Sequence, residues 1–370
     1  MQPIETGADQ PLIQGIANGL SNARISQTEP GSPDRLKAYG LDTPAVSVDF
    51  QLQNGSKHTL LLGDKDFTGI YAYGIVDGAK TVSLLPETLL VSTTKTFDDL
   101  RDHSILPVQS ADVVSFRLKN PSGELAASKV DSDWKFSKPS DDLADSGNVE
   151  TLLSAVSNGK FAAVLSEKPE DLSKYGLASP AVAFTATDKN GGTFTLLVGK
   201  KDGSGYYARD TSRPMIFSID GTVYKKLLDT YADLRDMSLL HLDTGSIDHV
   251  LLRNSSGTME FDLKSEDNWT VVSPADLKSK NVSIWKIFSP LTDTRADQIF
   301  DHPPADLLAK LAKPAVEVDL TRKDGKKITV RISNPVGDFV FARTSASPAL
   351  YKLKKQALDD LNFKPSEIVF

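Results

Sequence analysis

The sequence predicts an α+β fold built as a tandem repeat of about 135 residues, each copy made of antiparallel β-hairpins and sheets with a helix packed on one face. Three observations predict it. Tyr39-Gly40-Leu41-Asp42-Thr43-Pro44-Ala45 returns as Tyr175-Gly176-Leu177-Ala178-Ser179-Pro180-Ala181, an offset of 136, and Leu311-Ala312-Lys313-Pro314-Ala315 is a worn third copy. Short runs of period-two alternation end in Asn-Gly or Asp-Gly, the pattern of half-buried strands closed by tight turns. Helical faces follow groups of strands instead of alternating with single strands, which favours antiparallel sheets.

In the first half of each copy, Val46, Val48 and Phe50 alternate with Ser47, Asp49 and Gln51, and the register returns as Val182, Phe184, Ala186 and as Val316, Val318, Leu320. Turns follow at Asn54-Gly55, Asn190-Gly191 and Asp324-Gly325. The chain comes back through Thr59–Leu62, Phe194–Leu197 and Ile328–Arg331, and a further strand carries Tyr71-Ala72, Tyr207-Ala208 and Phe341-Ala342. One helix is expected to close this half, with Val223, Leu227, Tyr231 and Leu234 on a single face. It ends in Asp-Leu-Arg-Asp at Asp99–Asp102 and Asp233–Asp236.

The other half opens with hairpins from Val113–Leu118 and Val250–Leu252 through Ser122-Gly123 and Ser256-Gly257. Trp134-Lys135-Phe136 and Trp269-Thr270-Val271 follow, then Pro139 and Pro274, then a helix. Val149, Leu152, Leu153 and Val156 fall at i, i+3, i+4 and i+7, as do Ile284, Ile287, Phe288 and Leu291. The same pattern stands 136 earlier at Ile13, Ile16, Ala17 and Leu20, with Pro3 matching Pro139. The copies are therefore drawn as 1–109, lacking its Trp hairpin, 110–245, and 246–370, a degenerate C-terminal cap. Each half-copy is expected to form its own small sheet, with linkers at Ser166-Glu167-Lys168-Pro169 and His302-Pro303-Pro304, in an elongated array. A Trp 136 before Trp134 would stand upstream of Met1, so the parent polypeptide is expected to continue there with any signal or anchor.

Composition is globular, with 39 % hydrophobic and 25 % charged residues. A net charge of −7 with mixed signs argues against a nucleic-acid footprint, which needs clustered Lys and Arg. The absence of cysteine excludes disulfides, Cys-ligated zinc and Cys nucleophiles, and suits an oxidising compartment. No run approaches the roughly 18 apolar residues of a membrane span.

The order Trp134 with Pro139, an amphipathic helix, Tyr175–Ala181, Leu196–Gly199 and Leu234–Asp236 resembles a bacterial family catalogued as domain of unknown function 4340. The resemblance covers almost the whole chain and implies an extracytoplasmic protein with one N-terminal membrane helix, often found beside ABC-type export components of the gliding-motility auxiliary kind. It carries no functional residues with it. The third copy departs from the pattern, with Ala309-Lys310 for Tyr-Gly, Ser333 where Gly63 and Gly199 stand, and Asp360-Leu361-Asn362 for Leu-Arg-Asp. Such drift fits a terminal cap.

Among chemical candidates, Arg101-Asp102 and Arg235-Asp236 are read as helix ends, with Arg near the negative pole of the dipole and Asp starting a turn. The alternative is a grip on a ligand. Gly63–Gly69 and Gly199–Gly203 lead into strands and lack the Gly-Lys-Ser/Thr ending of a phosphate loop, so they are hairpin turns. His241 with Asp243 and Asp248-His249 come closest to a metal set but lack the i, i+4 helical pair, and His103 is read as a tolerant surface position because Met237 replaces it. Asp98-Asp99, Asp141-Asp142 and Asp359-Asp360 are read as caps, and no Gly-x-Ser-x-Gly elbow exists. Trp134 and Trp269 are assigned to the core, whereas Trp285, which replaces Glu150, is the candidate partner contact.

These readings assign no catalytic residue, cofactor or metal and leave any ligand-binding residues open. The expected function is a non-enzymatic extracytoplasmic scaffold or adaptor, tethered by an N-terminal segment, with a protein partner such as a membrane transporter component and no nucleic acid. One alternative is capture of a small molecule or lipid in a groove between repeat units. The other is a hydrolase of an envelope polymer, which would need one copy to carry perturbed acids or histidines that the others lack. Oligomeric state is left open.

Overall fold

A computed structural model of the chain describes residues 6–265 and 267–370. Pro3, the expected counterpart of Pro139, lies outside the described residues. The chain divides into two compact units, one of Met1–Ser132, Phe136–Ser140 and Val149–Thr230, the other of Asp133–Lys135, Asp141–Asn148 and Tyr231–Phe370.

The first unit holds an antiparallel sheet of β1 (Gln27–Pro30), β2 (Val46–Gln51), β3 (Lys57–Lys65), β4 (Tyr71–Val76) and β5 (Thr81–Pro86), in the order β1-β5-β4-β3-β2. At the β2–β3 turn Gly55 alone takes a positive φ, 85°, and Gly191 and Gly325 do the same at the matching turns. The turn glycine, not the preceding Asn or Asp, therefore supplies the left-handed step.

A second sheet begins with β6 (Val113–Asn120), β7 (Gly123–Val130) and β8 (Asp133–Lys138). After β9 (Asp142–Leu143) come β10 (Val164–Ser166), β11 (Val182–Asp188), β12 (Thr193–Asp202), β13 (Gly205–Asp210) and β14 (Ile216–Ile219). Its order in the first unit is β10-β14-β13-β12-β11-β6-β7, continued by residues 136–138 of β8. The second unit carries β15 (Ile247–Asn254), β16 (Gly257–Ser265), β17 (Asn268–Ser273), β18 (Gln298–Phe300), β19 (Val316–Arg322), β20 (Lys327–Ile332), β21 (Phe339–Thr344) and β22 (Leu350–Lys354). Their order is β17-β16-β15-β19-β20-β21-β22-β18, antiparallel throughout.

The half-copies do not make separate sheets. β6 pairs with β11, setting Phe116 against Ala186 and Leu118 against Phe184, and β15 pairs with β19, setting Val250 against Leu320 and Leu252 against Val318. The alternating apolar faces coincide across the join, so pairing buries all eight of these side chains to 3 % exposure or less. Each join also removes two strand edges that would otherwise lie open.

The linkers begin where edge strands end: Ser166 is the last residue of β10, which pairs with β14, and His302 comes shortly after β18, which pairs with β22. One further expectation is corrected. The helix expected through Val223 to Leu234 is two short helices, Gly221–Lys226 and Tyr231–Leu234. The break is held by Asn120, whose side-chain amide donates to Leu227 O (3.1 Å) and Asp229 O (3.0 Å). Those carbonyls are thereby satisfied without a continuing helix.

The repeated apolar side chains form the cores. Val149, Leu152, Leu153 and Val156 of helix Ser146–Ser157 are buried, as are Ile284, Ile287, Phe288 and Leu291 in and before helix Trp285–Thr292. Trp134 and Trp269 are 1 % and 4 % exposed, and Trp269 meets Phe288 edge-on with centroids 5.8 Å apart. The same positions of helix Gln10–Asn22 contribute no buried residue.

Candidate functional site

The Leu-Arg-Asp segments lie just past short helices. Arg101 follows Phe97–Leu100, whose Thr96 and Asp99 form a reciprocal capping box. The Arg101 guanidinium is 1 % exposed and grips Glu167 with two hydrogen bonds, 2.9 and 3.1 Å, while also reaching Asp98 at 3.1 Å. Arg235 repeats this with Asp301 at 3.0 and 2.7 Å, and adds Asp142 at 2.6 Å. Asp142 also accepts from the Tyr231 hydroxyl at 2.8 Å. These arginines therefore clamp each copy's closing helix to the segment beside the next copy's edge strand, β10 or β18, and the terminal guanidinium nitrogens of both are engaged internally. The helix-end placement is as read from the sequence; the acidic partners were not.

The aspartates that follow make turns. Asp102 accepts from the backbone and hydroxyl of Ser104 (2.9 and 2.6 Å), and Asp236 accepts from the same groups of Ser238 (3.0 and 2.8 Å). Around Asp236, in the second unit, a cleft of about 410 Å³ is lined by Asp133, Leu143, Asp145, Ser238, His241 and Arg295 among others. His241 Nε2 pairs with Asp236 Oδ2, and Arg295 pairs with Asp145. Burial works to raise the Asp236 pKa, but the bonds from His241 and Ser238 prevail and hold it down to about 2. The same carboxylate raises the His241 pKa above its ordinary value, against the effect of burial. An equivalent junction in the first unit has Asp102, Ser104, Lys160 and Asp9, with Lys160 at 3.8 Å from Asp102 and 4.0 Å from Asp9. Pro107 stands there in place of His241.

Chemically, the order of contacts at this cleft is decisive. Asp236 lies between the Ser238 hydroxyl and the His241 imidazole and bonds to each. A serine nucleophile needs the imidazole next to its hydroxyl, with the carboxylate on the far nitrogen. This arrangement orders a turn and fixes an imidazole.

The remaining candidates separate. His249 pairs with Asp262 (2.8 Å) and Glu260 (3.5 Å) on its own hairpin. His103 is not an idle surface residue: it is half-buried, stacks on Phe161 with centroids 4.8 Å apart, and its ring nitrogens contact Phe161 O and Asp98 O. Stacking and two backbone contacts hold it, and a thioether at Met237 fills the equivalent place by packing alone. Among the described residues no group of three His, Cys, Asp or Glu is placed to hold a metal. No described helix is long and apolar enough to cross a membrane. A second cleft of about 730 Å³, open to solvent, runs between Leu308, Leu311 and the strand residues Thr329, Arg331 and Arg343. Trp285 is 57 % exposed and rests edge-on against Phe288 with centroids 5.9 Å apart.

Several structural residues escaped the sequence reading. Asn254 repeats the Asn120 cap onto Leu361 O and Phe363 O (3.0 and 2.9 Å), and Asp9 and Asp145 both cap the helices that follow them. Each recurs at the repeat spacing, a signal present in the alignment of the copies. Arg213 does not recur: it donates to Ser104 O and Ile105 O, pairs with the fully buried Asp210 at 2.8 Å, and lies over Phe161 and Phe217.

The family model described as domain of unknown function DUF4340 matches residues 2–143 and 134–308. No curated protein and no solved structure matches the chain.

Proposed function

The chain belongs to the DUF4340 family, whose function is unknown, and for this member we propose a non-enzymatic scaffold or adaptor role outside the cytoplasm, accessory to a membrane ABC-type export system or to an envelope process. One observation carries the reading. The recurrent charged side chains are consumed in joining one copy to the next, Arg101 on Glu167 and Arg235 on Asp301, while the exposed aromatic Trp285 packs edge-on against Phe288. Repeat arrays suit adaptor work because each copy adds surface without needing a pocket. The compartment and the transporter partner rest on the family resemblance and on the lack of cysteine. At the Asp236 cleft the imidazole and the hydroxyl are both engaged by one carboxylate, which supports a structural role and not hydrolysis.

The test is a photo-crosslinking amino acid at position 285 of the protein expressed in its native cell. A crosslink to a membrane transport component, with the protein protected from protease until the outer compartment is opened, is the expected result. Recovery from the cytoplasm, or a bound soluble metabolite without any membrane component, overturns the reading.

A further inference from the structure

The first sheet is an unfinished copy of the other two. β2 stands at its edge, whereas its counterparts β11 and β19 are each paired on both sides. Val182, Phe184 and Ala186 of β11, and Val316, Val318 and Leu320 of β19, are 0–1 % exposed. The equivalent Val46, Val48 and Phe50 are only half-buried. A separate element shows the same deficit: on helix Gln10–Asn22, Ile13 is 38 % exposed and Ala17 is open, where Ile284 and Phe288 are 5 % and 2 % exposed. In the second unit the covering group over Phe288 is Trp269 of β17.

Strand edge and helix face thus lack one and the same thing, the three-stranded meander that β6–β8 and β15–β17 supply elsewhere. We propose that the β2 edge and the Ile13–Ala17 face together form a docking site for a Trp-bearing β-meander. The chain's own two meanders are engaged, β6 with β11 and β15 with β19, so a second copy has none to spare and the occupant is a polypeptide segment from outside these 370 residues. Its chemistry is set by the internal templates. Its first strand pairs antiparallel with β2 and carries two apolar side chains two residues apart, as Phe116 and Leu118 or Val250 and Leu252 do, opposite Phe50 and Val48. Its third strand carries a Trp that seats on Ala17. Backbone pairing supplies affinity, and the alternating side chains supply register.

The probe is a synthetic peptide of residues 112–139 of this sequence, added to the full chain and followed by amide hydrogen exchange. In the chain alone, alternate amides of Val46–Gln51 should exchange freely while those of Val182–Asp188 and Val316–Arg322 are slow. Saturating peptide should slow the β2 amides at least tenfold. Replacing the peptide's Trp with Ala, or Ile13→Asp on the chain's exposed helix face, should each weaken binding at least tenfold. Slow exchange of β2 in the free chain overturns the proposal. So does self-association through β2 seen by sedimentation, or peptide binding that leaves β2 unprotected. None of these outcomes depends on the adaptor reading.

Discussion

Gly199 lies so close to Tyr175 that a Cβ on the glycine would stand 2.1 Å from the tyrosine's carbonyl oxygen. Gly63 has the same relation to Tyr39, at 2.2 Å, and the next residue, Asp64, donates its N–H to that carbonyl at 2.9 Å. The Tyr-Gly-Leu and Leu-Leu-x-Gly motifs are therefore the two sides of one backbone contact. The third copy lacks both together. Its Ser333 is buried and uses its hydroxyl to accept from Phe341 N–H and donate to Asn334 O.

Gly199→Ala should consequently destabilise by about 1–3 kcal/mol, the usual cost of forcing atoms into a packed site. Urea denaturation of the variant checks it. An unchanged midpoint would mean that the two segments separate without cost.

Arg101→Met should cost more than Glu167→Gln. The guanidinium is 1 % exposed and keeps Asp98 as a second partner, whereas the Glu167 side chain is 43 % exposed and can turn to water. Burial of only one partner reduces the pair below the ~3–5 kcal/mol of a fully buried one. A double-mutant cycle should give a coupling of about 1–2 kcal/mol; a coupling near zero would place Arg101 in packing alone.

Asn120→Ala and Asn254→Ala should each lose about 1–2 kcal/mol, because two backbone carbonyls at a helix break lose their donor in each case. Similar losses at both sites, measured by thermal melts, would confirm that the break is built by the asparagine. Loss at one site alone would count against it.

The Asp236–His241 pair sets a pH window. His241 is raised, so its contribution is complete below its unfolded pKa near 6.5 and fades as pH rises through the higher folded value. Asp236 is held at about 2, so its contribution is present above its unfolded value of 3.8 and is lost as pH falls through about 2. The gap in stability between the native chain and His241→Ala should be widest between about pH 4 and 6.5. It should stay below about 1 kcal/mol, because the imidazole is 60 % exposed. An NMR titration should return the His241 pKa to its ordinary value in Asp236→Asn.

Much of this could be read directly. Val182-x-Phe184-x-Ala186 and Val316-x-Val318-x-Leu320 declared their buried faces, and all six side chains are buried. Trp134 and Trp269 were placed in the core by repetition alone, correctly. The Leu-Arg-Asp arginines stand at helix ends as the sequence indicates, but of their partners, each 66 residues on, Glu167 reads as linker and Asp301 carries no signal of its own. A short-range pattern has no means of naming a partner across a sheet. The same blindness made one helix of Val223–Leu234, since the amide that ends it comes from Asn120, more than a hundred residues earlier.

The sequence by itself determined the period, the strand faces, the turn glycines and the helix stripes, because each is set by side chains within a few residues of one another. Only the tertiary structure decided that the two hairpin groups share one sheet, which carboxylate each arginine holds, and that β2 is left with an open edge. Those outcomes depend on which strand stands beside which, and hydrogen bonds between distant strands leave no periodic trace in the chain.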